Sequence, residues 1–261
     1  MAASADTSGD LSVEGPPDGR PIIFVHGAGV SRAQWRPQVV ALSDEFRVVA
    51  MDLPGHGVRG SEPFDFDRAV EAVASVLDQI GEPCLLVGHS LGGYVSATVA
   101  GGHPERVAGL VLSGSSADYR GRLGTRSRLA GTVLRLAGSI GPVERWFERY
   151  TLRKVRDKPV DGSTAASIRD GGVSLRAYGE SARDLAGRDV RSDLRSYSGP
   201  TLLLNGSEDR LNGNAASDLA AVLDDARVET LAGAGHTANL DRPDEYTATI
   251  RSFADEVDRD P

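Results

Sequence analysis

The chain has 261 residues, 40% hydrophobic and 25% charged, a composition that excludes a disordered or fibrous protein and allows one large α/β domain or two small ones, either able to bury a substantial core. Its formal net charge of −8 argues against nucleic acid as a partner, because a duplex-binding surface needs clustered Lys and Arg to displace counterions from phosphates. No apolar run reaches the roughly 18 residues of a membrane span, and the single cysteine, Cys84, excludes an intramolecular disulfide and a cysteine-built tetrahedral metal site.

Residues 1–20 are rich in Ser, Asp, Gly and Pro and lack both the basic start and the apolar stretch of a secretory signal. They are expected to be loosely ordered, and the protein to be cytoplasmic. Ile22-Ile23-Phe24-Val25 is a short β-branched and aromatic run ending at His26-Gly27, the pattern of a strand buried on both faces. Arg47 to Met51, ending at Asp52 and Pro54-Gly55, and Cys84 to Val87, ending at Gly88, repeat it. Helical segments lie between them, Ala33 to Leu42 and Phe66 to Ile80, the second with Ala69, Val70, Val73, Val76, Leu77 and Ile80 at three- and four-residue spacing. Val95 to Ala100 continues a helix after the third strand. Val107 to Leu112, Thr201 to Leu204 and Arg227 to Leu231 read as further strands, Ala215 to Leu223 as a helix, and Asp244 to Val257 as a closing helix started by Pro243.

This alternation predicts an α/β fold: a mostly parallel central sheet of six to eight strands, right-handed crossovers, and helices on both faces. The pattern breaks between Ser113 and Gly199, where no buried strand appears. From Asp118 to Arg195 there are 17 Lys or Arg against 10 Asp or Glu, a net of +7 that leaves −15 elsewhere. The expected division is a core of residues 21–113 and 199–261 with a helical cap insertion at 114–198. Within it Val143, Trp146, Phe147 and Tyr150 form an apolar stripe beside Arg145, Arg149, Arg153, Lys154 and Arg156. Packing on the main domain is the favoured use of that stripe; contact with an acidic membrane surface or a partner is the alternative.

Gly88-His89-Ser90-Leu91-Gly92-Gly93 follows a buried strand and precedes a helix, which meets the G-x-S-x-G pattern in the context it requires. A strand that turns at once into a helix forces the central residue to a strained φ, and glycines beside it avoid collision with neighbouring chain. Ser90 is thereby presented at a helix N-terminus, where first-turn N–H groups have no intrahelical partner and can stabilise negative charge.

With these residues the sequence resembles the α/β-hydrolase family from about Pro21 to Val257, and especially its small-molecule esterases, enol-lactonases and carbon–carbon bond hydrolases. His26-Gly27-Ala28-Gly29 looks like the family's oxyanion loop, and Asp52-Leu53-Pro54-Gly55-His56-Gly57 like a second turn of the same family. Asn205-Gly206-Ser207-Glu208-Asp209 and Gly233-Ala234-Gly235-His236 complete the chain order Ser, Asp, His. The resemblance implies Ser90 as nucleophile, His236 as base, Asp209 as orienting acid, and the backbone N–H groups of Ala28 and Leu91 as oxyanion donors. Glu208 and Asp118 are rival acids. Of the other histidines, His26 would prop the oxyanion loop, His56 sits in a Pro-Gly turn, His89 is expected to point away from the reacting side, and His103 precedes Pro104 at a helix end.

The expected activity is hydrolysis of a small-molecule carboxylic ester, thioester or lactone through an acyl-enzyme, with the +7 segment suggesting an anionic substrate. A carbon–carbon hydrolase with the same triad and a non-catalytic receptor of the same fold are the alternatives. Serine at the elbow disfavours dehalogenation and epoxide opening, which use Asp there. Ala28 and Leu91 disfavour the cofactor-free haloperoxidases, which often carry an aromatic and a Met at those places. No metal-ligand cluster and no phosphate-cradling G-x-G-x-x-G after a strand is present, so no metal or organic cofactor is expected. The family's hairpin before the oxyanion strand would have to fit within residues 1–20, so its two strands should be short or absent.

Overall fold

The computed structural model describes residues 9–257. Seven strands form one sheet: β1 (Leu11–Glu14), β2 (Pro21–Val25), β3 (Arg47–Met51), β4 (Cys84–His89), β5 (Val107–Ser113), β6 (Thr201–Gly206) and β7 (Ala226–Leu231). Their order is β1-β3-β2-β4-β5-β6-β7, antiparallel only between β1 and β3. The α-helices are α1 (Arg36–Leu42), α2 (Phe66–Ile80), α3 (Leu91–Gly102), α4 (Gly121–Gly138), α5 (Gly141–Arg156), α6 (Gly162–Asp170), α7 (Leu175–Asp184), α8 (Val190–Asp193), α9 (Arg210–Ala220), α10 (Ala238–Asp241) and α11 (Pro243–Val257). The predicted α/β architecture is therefore the observed one.

Strand periodicity divides the core. Ile23 and Val25 of β2, with Leu86 of β4, pack among α2 and α3, whereas Ile22 and Phe24, with Val87, pack among Trp35, α1 and α11. Every residue of β2 and β4 is buried, which explains why both read as continuous apolar runs.

β1 lies inside the segment expected to be loosely ordered. Its Val13 pairs with Val49, and Leu11 and Val13 pack on the core. Four residues thus cover the outer edge of β3, while residues 1–8 of that expectation lie outside the described residues. The helix read from Ala33 begins as a 3-10 turn, Arg32–Trp35. The one read from Ala215 starts at Arg210, capped by Asp209.

Between β5 and β6 all regular structure is helical, α4 to α8 and a short 3-10 turn, Leu194–Ser196. The stripe on α5 splits rather than packing as one face. Phe147 is half-buried against Leu152, Val155, Ile168, Val173 and Leu240, but Trp146 and Tyr150 stack on each other at 5.6 Å and remain 59% and 50% exposed. Among the described residues no helix is long and apolar enough to cross a membrane.

Candidate active site

The strand order places the site. Chain leaving β2 goes to β3 on one side, whereas β4 lies on the other, so a crevice opens above the carboxyl ends of β2 and β4. His26-Gly27-Ala28 and Ser90 follow directly from those two ends.

Ser90 has φ 51° and ψ −118°, and it is the one non-glycine residue with positive φ among the described residues. Such a conformation costs on the order of 1–3 kcal/mol and persists only when its surroundings over-determine it. They do so here: Ser90 N donates to Ser113 O at 2.8 Å, and Ser90 O accepts from Gly93 N at 2.9 Å and Ser115 Oγ at 3.0 Å. A Cβ on Gly92 would stand 2.2 Å from Val25 O, and one on Gly93 2.0 Å from Ser115 Oγ. The turn can be this tight only because both are glycine.

Ser90 Oγ lies 3.0 Å from His236 Nε2, and His236 Nδ1 lies 2.6 Å from Asp209 Oδ2. A carboxylate can only accept, so these partners assign the imidazole proton to Nδ1 and leave Nε2 to accept from the serine hydroxyl. Burial alone would raise the Asp209 pKa, but hydrogen bonds from His236 and Asn212 hold it below the usual carboxylate value. Asn212 Nδ2 donates to Asp209 Oδ2 at 2.9 Å, while Asn212 Oδ1 accepts from Ser116 N at 3.0 Å and Ala117 N at 3.2 Å. Of the rival acids, Asp118 is engaged by Arg120 at 2.7 Å, and it is Asp209 that meets His236.

On the other wall Gly27 N donates to Gln34 Oε1 at 3.1 Å and Gly29 N to His56 Nε2 at 3.0 Å. Among the described residues no protein acceptor engages Ala28 N between them, nor Leu91 N at the start of α3. His26 Nε2 accepts from Leu53 N at 3.1 Å, which ties this loop to the Asp52–Gly57 turn. His89 does not point away from the site as expected. Its ring lies 4.9 Å from that of His236, its Nε2 donates to His236 O at 2.8 Å, and Gln34 Nε2 donates to its Nδ1 at 2.8 Å. Burial, then the neighbouring His236, lowers the His89 pKa to about 3, so the ring stays neutral. Gln34 and the role of His89 had no local sequence signal, since they act through partners far along the chain, whereas Asn212 stands three residues from Asp209 and was missed although that spacing at a helix start offered a signal.

Ser90, Ala28 and His236 line a cavity of about 230 Å³ whose remaining wall is largely apolar, including Phe147, Val155, Ile168, Val173 and Leu240. A larger depression, about 550 Å³, opens among Pro21, Pro83, Val107 and Pro200 at the amino-terminal edge of the sheet and holds none of these groups. Ligand crevices of parallel sheets lie outside the carboxyl ends, so the smaller cavity is the relevant one. Among the described residues no three His, Cys, Asp or Glu side chains converge as metal ligands.

Residues 22–249 match the family model described as "Alpha/beta hydrolase family". The chain is 27% identical over 253 residues to the pimeloyl-[acyl-carrier protein] methyl ester esterase of Edwardsiella ictaluri (strain 93-146), covering 90% of this chain and 93% of that one. It is 25% identical over 252 residues to 3-oxoadipate enol-lactonase 1 of Acinetobacter baylyi, covering 95% and 93%. A solved structure of a thermophilic esterase from Thermogutta terrifontis superposes with a TM-score of 0.75 at 24% identity, covering 98% of both chains.

Proposed function

The chain belongs to the alpha/beta hydrolase family, and from that premise we propose that it hydrolyses a small-molecule carboxylic ester, thioester or lactone through an acyl-enzyme on Ser90. The observation that carries the proposal is the contact series Ser90 Oγ, His236, Asp209, at 3.0 and 2.6 Å, on the floor of an apolar cavity. The relatives named as a methyl ester esterase and an enol-lactonase support the same class of bond.

A serine hydroxyl scarcely ionises near neutral pH, so attack requires transfer of its proton to His236 Nε2 as the Oγ–carbon bond forms. Asp209, held ionised, stabilises the imidazolium and fixes its tautomer. The oxyanion is met by Ala28 N and Leu91 N, each on the order of 3 kcal/mol in comparable sites. Collapse gives the proton to the departing alkoxide, thiolate or enolate and leaves the acyl group on Ser90. Water then attacks, with His236 again taking the proton, and restores free serine with release of the carboxylic acid.

Residues 114–198, which include α4 to α8, serve in this proposal as a cap that excludes water from the cavity. Their net of +7 supports an anionic small molecule as the substrate, and the overall −8 supports a small molecule over nucleic acid. A fluorophosphonate probe tests the reading: labelling of the native chain, abolished by Ser90→Ala, is the expected result. Absence of labelling would favour a ligand-binding protein. Turnover of a vinylogous diketone but of no ester or lactone would favour the carbon–carbon hydrolase.

A further inference from the structure

The chain has 29 basic residues, of which only Lys154 and Lys158 are lysines, and both line the cavity that holds Ser90 and His236. No arginine lines it among the described residues. Lysine suits such a wall, since its narrow alkyl stem continues an apolar surface and carries a compact charge at the tip.

The two charges differ in their partners. Lys158 is paired with Asp241, whose Oδ2 also accepts from Gly235 N at 3.0 Å. That positive charge is matched inside the protein. Lys154 has no carboxylate within ion-pair distance among the described residues; its ammonium stands 5.9 Å from the centre of the Tyr150 ring. Asp209, 7% exposed behind His236, is not part of the lining. One unmatched cation therefore stands at the exposed rim of a cavity whose deeper wall includes Phe147, Val155, Ile168, Val173 and Leu240.

We propose that Lys154 is a specificity-determining residue that binds a carboxylate at the non-reacting end of the substrate, so that preferred substrates are short esters, thioesters or lactones bearing such a group. This deepens the hydrolase reading and rests on it. The carboxylate belongs away from the bond being cleaved, because beside Ser90 it would repel the developing oxyanion. A volume of about 230 Å³ holds roughly seven or eight water-sized groups, which suits a chain of a few carbons. A carboxylate deep in the apolar cavity would lose hydration uncompensated, whereas at the rim it keeps part of its hydration and meets the Lys154 ammonium.

The test is competition against hydrolysis of nitrophenyl acetate by two molecules of equal size: the monomethyl ester of glutaric acid, and its neutral isostere in which an isopropyl group replaces the carboxylate. For the native chain at low salt the anionic ester should compete about three- to fivefold more tightly, with the margin shrinking as salt rises. Lys154→Met should equalise the pair, Lys154→Arg should keep the preference, and Lys154→Glu should reverse it. Unchanged melting temperatures certify the fold of each variant. Equal competition in a native chain that fluorophosphonate labels, or a preference that survives Lys154→Met, would overturn the assignment and leave the hydrolase reading standing. Failure both to hydrolyse the acetate and to be labelled would remove the hydrolase reading and this inference together.

Discussion

Asp209 sits between opposed influences: burial favours its neutral form, and the hydrogen bonds from His236 and Asn212 favour the charged form and prevail. Asp209→Asn should separate its two duties. Asparagine still caps α9, where Asp209 now accepts from Asn212 N at 3.3 Å, so the loss of stability should be confined to about 1–3 kcal/mol for the acceptor withdrawn from Asn212 Nδ2. The proton that Asp209 fixes on His236 Nδ1 would lose its acceptor, and on the proposed mechanism kcat should fall by about 10⁴. Steady-state kinetics beside a thermal melt checks this, and equal losses of stability and activity would contradict it. Asn212→Ala should behave differently, because Asn212 also satisfies the buried Ser116 N and Ala117 N. Leaving these unpaired should cost about 1–3 kcal/mol in a urea melt, with a smaller loss of kcat than Asp209→Asn. Ser90, Asp209 and His236, the residues the sequence singled out, each stand in a short polar or Gly-rich turn after a strand, and the structure brings their side chains together. Gln34 was not singled out, because its partner is set by tertiary contact, 55 residues away at His89; Asn212 contacts Asp209 locally, but its contact to Ser116, 96 residues away, has no local pattern.

At the scale of elements, fully buried strands such as Ile22 to Val25 were readable as apolar runs, and amphipathic helices such as α2 by their spacing. β1 was not, since Leu11–Glu14 is only half-buried and sits in a polar stretch; its identity comes from pairing with β3, which no local pattern encodes. The segment between β5 and β6 was legible as helical, but the orientation of α5 was not. An apolar stripe does not say which of its members faces the core, and Trp146 and Tyr150 face solvent while Phe147 faces the cavity. The elbow is where sequence and geometry agree most tightly, and it gives a paired prediction within one helix. Gly92→Ala forces a methyl to 2.2 Å from the carbonyl oxygen of Val25, backbone that cannot swing aside. It should destabilise the protein by about 3 kcal/mol or more and misplace Ser90. Gly102→Ala, at the other end of α3 with nothing within 4 Å, should stabilise by about 0.5 kcal/mol through helix propensity. Thermal melts of the two single variants decide the point, and a tolerated Gly92→Ala would refute the packing argument.

The whole molecule carries a pH dependence that its site alone would not suggest. His26 and His56 are buried, and burial first of all lowers their pKa from 6.5 to about 4 and about 3; His89 is likewise lowered to about 3. All three hold neutral rings in fixed tautomers: His26 accepts from Leu53 N, His56 from Gly29 N, and His89 from Gln34 Nε2. Because the folded values lie below the unfolded one, the unfolded chain binds more protons in acid. The stability these groups confer is complete above about pH 6.5 and is lost progressively as pH falls toward their folded values. At about pH 5 each protonation deficit amounts to roughly 2 kcal/mol, and three together rival the roughly 5–15 kcal/mol that holds a typical domain folded. The protein should therefore lose much of its stability on mild acidification, through the props of its two site loops and the ring beneath His236. Urea melts between pH 8 and about pH 5 should show this slope, and His56→Gln, whose amide can still accept from Gly29 N, should flatten it by about one third at a small cost in stability at neutral pH. A slope unchanged in His56→Gln would mean that the acid sensitivity arises elsewhere, and that the neutral histidines do not set the lower pH limit of the fold.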